Sequence, residues 1–170
     1  MPTIPFFLSA PRLKALSPLA LAAALVASHA AAVTPGPFRD FIGQWSGSGQ
    51  IVASNGHRES IRCRAEYSAA KDGAALNQGI VCASESFKLA IKSYVEVSGE
   101  SVQGSWNEAT RDLSGHITGR IAGNRFEGEF SAPAFTAAIS VTSNGRTQAV
   151  SIRPSTGDVT DVRIELQRRG

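Results

Sequence analysis

From Phe41 to the end of the chain, apolar and polar residues alternate with a period of two, and turn signals break the alternation at short intervals. This is the signature of half-buried β-strands. The run Phe41-Ile42-Gly43-Gln44-Trp45-Ser46-Gly47-Ser48-Gly49-Gln50-Ile51 opens the series, with Trp45, Gly47, Gly49 and Ile51 on one face. A reversal around Asn55-Gly56-His57 sets Ile61, Cys63, Ala65 and Tyr67 beside them, and Leu76, Ile80 and Cys82 continue that face. Later segments carry Phe87, Leu89, Ile91, Val95 and Val97, then Val102, Gly104 and Trp106, then Leu113, Ile117 and Ile121. The series ends with Phe126 and Phe130, then Phe135, Ala137, Ile139 and Val141, then Val150 and Ile152, and finally Val162, Ile164 and Leu166.

The pattern predicts about ten strands, with no helical period sustained outside the first 32 residues. Short connections pair each strand with its neighbour, and a sheet of that size removes its edges by curling closed. The fold class is therefore all-β, a single antiparallel up-and-down β-barrel over residues 41–170, reached through a Pro- and Gly-containing loop over 33–40. The competing arrangement is a two-sheet sandwich, which needs longer crossing connections than these.

Residues 1–32 read as an address. Arg12 and Lys14 precede an Ala- and Leu-rich core from Ala15 to Val26, and small residues follow at Ser28, Ala30 and Ala32, the pattern of a cleaved signal peptide. A retained membrane anchor is the competing reading, but a span needs about 20 apolar residues, and this core is shorter and carries Ser17 and Pro18. The expectation is a periplasmic or secreted protein with no stable membrane insertion after cleavage. The leader also accounts for two of the 17 Lys and Arg and none of the 14 Asp and Glu, leaving 15 basic against 14 acidic, a net charge of +1. Arg58, Arg62, Arg64, Arg168 and Arg169 are interleaved with Glu59, Glu66 and Glu165. Nucleic-acid binding calls for a concentrated basic face, so a nucleic-acid partner is not expected, and no particular protein partner is indicated.

The two cysteines agree with export. Lys71-Asp72-Gly73-Ala74 carries the Asp-Gly hairpin signal. With Asp72 and Gly73 as the loop, Lys71 faces Ala74, Tyr67 faces Gln78, Ala65 faces Ile80 and Cys63 faces Cys82. Opposed residues have Cα atoms about 4.5–5.5 Å apart, within reach of a disulfide, and exported proteins meet oxidising conditions. The alternative is a pair of buried thiols. Two cysteines without a Cys-x-x-Cys pattern make neither a redox motif nor a complete zinc site, so no metal is expected.

Gly47, Gly49, Gly104, Gly115, Gly119 and Gly128 fall on the inferred inner face, where they either let strands coil and close or leave room for an internal cavity. The chemical inventory is sparse. Beyond the leader, the histidines are His57 in a turn and His116 on the outward parity of a strand, and both read as exposed. Gly47-Ser48-Gly49 lies inside a strand, without the strand-to-helix setting of a nucleophile elbow. Glu127 and Glu129 alternate with Phe126 and Phe130 and face solvent. The segment from Trp106 to Asp112 gathers aromatic, amide, acidic and basic groups at a strand end, where a barrel rim places binding groups. Its plainer reading is a polar turn with Glu108 and Arg111 as a surface ion pair. No catalytic residue and no cofactor is expected.

With Gly43-Gln44-Trp45 at the start of the first strand of a β-meander, the chain resembles the calycin superfamily of lipocalins, fatty-acid-binding proteins and their relatives. The longer spacing Gly43, Trp45, Gly47, Gly49 resembles nitrobindin-type ten-stranded barrels and small exported bacterial proteins of unassigned function. The resemblance implies that Trp45 plugs the barrel base against a late arginine, Arg168 or Arg163. It does not extend to a ligand site. The late haem-ligating histidine of nitrobindin-like proteins has no counterpart after His116, and Val52 to Glu59 is too short for the two helices of fatty-acid-binding proteins.

The resulting expectation is a non-catalytic exported barrel that binds a small apolar or amphipathic ligand against Trp45, Tyr67, Phe87, Trp106, Phe126, Phe130 and Phe135. The alternative is an envelope interaction or inhibitor module with a filled core that acts through its surface.

Overall fold

The computed structural model describes residues 36–170; the leader expected over residues 1–32 and the start of the following loop lie outside the described residues. Ten strands follow one another: β1 (Gly43–Ala53), β2 (Arg58–Ala70), β3 (Ala75–Ala83), β4 (Lys88–Ser98), β5 (Ser101–Glu108), β6 (Leu113–Ala122), β7 (Arg125–Ala132), β8 (Phe135–Ser143), β9 (Thr147–Pro154) and β10 (Val159–Arg168). Each pairs antiparallel with its sequence neighbours, and β1 also pairs with β10 to close the barrel. Trp45 accordingly lies opposite Ala65 on one side and Arg168 on the other. The chain therefore forms the all-β up-and-down barrel that its alternation predicts, and closure leaves no strand edge unpaired. Among the described residues, no helix is long and apolar enough to cross a membrane.

Odd-numbered strands run from one end, the base, to the other, the mouth, and even-numbered strands return. Inward positions follow the period-two reading: Ile61, Cys63, Ala65 and Tyr67 on β2, Val102 and Trp106 on β5, and Ile164 and Leu166 on β10 are all buried. His57 and His116 are exposed, as are Glu127 and Glu129.

Cys63 faces Cys82 across the β2–β3 ladder, Ala65 faces Ile80 and Tyr67 faces Gln78. The two cysteines form a disulfide with Cα atoms 4.1 Å apart. On the chain-entropy account, closing a loop of this sequence separation contributes about 3 kcal/mol. The connection between these strands is longer than a two-residue hairpin. The ladder ends at Ala70 and Ala75, and Lys71–Gly73 form a 3-10 turn in which Lys71 and Asp72 take left-handed conformations. The register survives because one residue is added on each side. The N-terminal segment lies against this turn: a Cβ on Gly36 would come within 2.5 Å of the Gly73 carbonyl oxygen.

The segment before β1 proves to be part of the core. Phe38 and Phe41 are each 3% exposed and meet edge to face, 6.4 Å between ring centroids. They stopper the base over Trp45, whose indole N–H donates to the Phe41 carbonyl at 2.8 Å. The Gln148 side-chain amide donates to the same carbonyl at 3.4 Å, and the Ser143 hydroxyl donates to the Asp40 carbonyl. Of the two late arginines, Arg168 caps Trp45, its guanidinium 5.2 Å from the ring centroid and donating to the Ile42 carbonyl. Arg163 instead pairs with Asp161 at 3.0 Å.

Inward glycines serve coiling rather than spare room. A Cβ on Gly47 would stand 1.9 Å from the Glu165 carbonyl oxygen, and one on Gly115 would stand 1.9 Å from that of Ser131. Only a residue without a side chain lets neighbouring strands approach this closely while the sheet curls.

Candidate ligand-binding cavity

Interior space remains toward the mouth. An apolar cavity of about 250 Å³ is walled by Phe87, Leu89, Ile91, Trp106, Phe130, Phe135, Ala137, Ile152 and Val162, among others. Leu113, 37% exposed, also lines it, so the space reaches the barrel surface. A smaller cavity of about 90 Å³ lies toward the base, lined by Phe41, Tyr67, Leu76, Val95, Phe126 and Phe130 among others. The disulfide residue Cys82, with Leu89, Ile91, Phe130, Ile152 and Ile164, contributes to both walls.

The seven interior aromatics expected from parity thus fall into three groups. Phe87, Trp106, Phe130 and Phe135 gather at the mouth cavity. Trp106 meets Phe130 edge to face at 6.0 Å and Phe135 at 5.8 Å. Tyr67 and Phe126 line the smaller cavity, and burial raises the Tyr67 phenol above its ordinary range. Trp45 lines neither, since it belongs to the base stopper.

Two charged residues line the mouth cavity, Glu108 and Arg111. The ion pair expected between them forms, at 3.6 Å, but not at the surface as expected: Glu108 is 2% exposed. Glu108 has the inward parity of Trp106 and ends β5 where the chain turns, so its carboxylate meets backbone N–H groups that the ladder leaves without partners. Oε1 accepts from Ala90 N–H at 3.0 Å, from Thr110 N–H at 2.9 Å and from the Thr110 hydroxyl. Oε2 accepts from Arg111 N–H at 2.8 Å, whereas the Arg111 guanidinium stands 3.6 Å away. Burial alone would push the carboxyl up. These hydrogen bonds to its charged form outweigh that and hold the pKa at about 2.

The turn pinned in this way presents Arg111 at the rim. Its guanidinium lies over the Phe87 ring, 4.6 Å from the centroid. Nη1 donates to the Lys88 carbonyl at 3.3 Å and contacts the Thr110 hydroxyl oxygen at 3.4 Å. The neighbouring turn that carries Phe87 has its own carboxylate anchor. Glu59 accepts from Ser86 N–H at 2.9 Å and from the Ser86 hydroxyl. Hydrogen bonds from Ser84 and Ser86 hold its pKa at about 2. Two clamped turns therefore frame the mouth, one offering an aromatic face and the other a cation stacked on it.

Fold and site together define a calycin-like barrel, closed at its base by a Trp–Arg stopper and holding an apolar cavity under its mouth. Among solved structures, the chain is similar to Rv2717c from M. tuberculosis, with a TM-score of 0.59 at 13% identity, covering 77% of this chain and 94% of that one. It is also similar to an S-type phycobiliprotein lyase, CPES, from Guillardia theta, with a TM-score of 0.52 at 10% identity, covering 78% of this chain and 90% of that one. No protein-family model and no curated protein matches the sequence.

Proposed function

We propose that this protein is an exported, non-catalytic carrier or sensor that binds a small apolar or amphipathic molecule in the mouth cavity. The observation that carries the reading is the cavity itself, about 250 Å³ of space walled almost wholly by hydrocarbon and reaching the surface. Dry cavities of about 150 Å³ in other proteins take up benzene, so this one suits a ligand of roughly ten non-hydrogen atoms on the same scale. A surface-acting module with a core filled throughout would not need this space. Binding without chemistry is supported by the lining: its titratable groups are Glu108, whose oxygens are committed to the turn, and an arginine. Export is supported by the leader-like residues 1–32 and by the Cys63–Cys82 disulfide.

Ala137 is 3% exposed and lines the cavity wall, so Ala137→Leu places three further carbons in the ligand's space. Calorimetric titration with 1-octanol should show binding to the wild type and at least tenfold weaker binding to the variant, with the unfolding midpoint unchanged or raised. Equal affinity in the two proteins would place the ligand elsewhere.

A further inference from the structure

We infer that the ligand is a monocarboxylate on a compact apolar body, with its carboxylate held by Arg111; this rests on the mouth cavity being the binding site. The argument begins with which edge of the guanidinium is in use. Arg111 is fixed on one face by Phe87 at 4.6 Å and at one nitrogen, Nη1, by Lys88, Thr110 and Glu108. Among the described residues its Nε and Nη2 atoms make no hydrogen bond and no ion pair. That edge carries two parallel N–H groups, the fork that matches a carboxylate bidentately. Its side chain keeps 44% exposure, so the edge is reachable, and stacking on Phe87 has already restricted the guanidinium before any ligand arrives.

Glu108 pairs with this cation on one side only. Its carboxylate is buried and saturated by the Ala90, Thr110 and Arg111 donors, and its closest approach to the guanidinium is 3.6 Å on the Nη1 side. The acid thus positions the turn and leaves the far edge open. With the Glu108 oxygens taken up by their own donors, the one open charged edge at this hydrocarbon-lined cavity is the guanidinium's, which is complementary to an amphipath whose polar end accepts two hydrogen bonds as an anion. An alcohol of equal length would fill the cavity but gain only a neutral hydrogen bond. An amine would meet a like charge.

The test compares octanoate, 1-octanol and octylamine by calorimetric titration at neutral pH against wild type, Arg111→Met and Arg111→Lys. Methionine keeps an apolar stem over Phe87 without charge, and lysine keeps the charge without the fork. The wild type should bind octanoate about tenfold more tightly than 1-octanol, the gain expected of a charge-assisted bidentate pair partly exposed to water, with octylamine weakest. Arg111→Met should bind octanoate no more tightly than 1-octanol, and Arg111→Lys should recover part of the preference. Equal binding of octanoate and 1-octanol by the wild type would overturn the carboxylate inference while leaving the apolar cavity in place. Binding of none of the three would overturn both.

Discussion

Glu108→Gln should lower the stability of the barrel by about 2–3 kcal/mol at neutral pH and flatten its response to acid. The amide offers one acceptor where the carboxylate offers two, so either Arg111 N–H faces an NH2 group or the Oε1 cluster with Ala90 and Thr110 breaks. A buried donor left without a partner costs about 1–3 kcal/mol, and the surviving bonds lose their charge assistance. The pH dependence follows from the depressed pKa. A carboxyl at about 2 in the fold, against 4.5 ordinarily, contributes stability that is complete above the unfolded value and lost as pH falls through the folded one. A shift of this size corresponds to about 3 kcal/mol. Urea unfolding midpoints from pH 7 to pH 2 provide the measurement. The gap between wild type and variant should be constant down to about pH 4.5, then narrow towards pH 2. Glu59 titrates in the same window in both proteins, so the difference between the curves isolates Glu108. Two parallel curves would show that the Glu108 carboxylate does not hold the turn.

The second large effect concerns the other end of the barrel. Trp45 is 1% exposed, donates to Phe41 and supports Arg168 on its face. Trp45→Ala leaves a void beneath the Phe38–Phe41 stopper and removes the donor that ties the stopper to β1. Truncating a buried tryptophan costs about 3–5 kcal/mol. In a domain of this size that lowers the thermal midpoint by roughly 10–20 °C. Arg168→Ala removes the stacked cation but keeps the indole hydrogen bond, so its cost should be smaller, about 1 kcal/mol. Thermal unfolding of the two variants tests this order. An Arg168 variant at least as damaged as the Trp45 variant would show that the cation, not the indole, closes the base.

The barrel was legible because alternation and turn chemistry are local signals that agree along the chain. Counting outward from Asp72 and Gly73 placed Cys63 opposite Cys82 although the turn itself is longer, since adding one residue to each arm leaves a ladder's register intact. The inward parity of Phe87, Trp106, Phe130 and Phe135 was likewise readable, and these residues do converge. What the local pattern hid was position along the barrel axis. Parity tells inside from outside but not base from mouth, so Tyr67 and Phe126 are indistinguishable from the mouth cluster by pattern, and only the calycin resemblance sets Trp45 apart at the base.

Phe38 and Phe41 were obscured for a different reason. They belong to no strand, and their burial depends on the chain folding back beneath the closed sheet. Glu108 carried a usable sign in sharing parity with Val102, Gly104 and Trp106. Charge argued against burial until the backbone donors of the 109–112 turn were visible, because a carboxylate is buried at tolerable cost only where hydrogen bonds meet it.

The most direct test of interior binding is native mass spectrometry of wild type and Ala137→Leu purified in parallel from the cells that produce them, followed by denaturing extraction and analysis of the small molecules released. The account predicts a stoichiometric organic adduct on the oxidised wild-type chain, recovered in its extract and depleted from the variant. A bare mass for both proteins, with nothing in either extract, would contradict it.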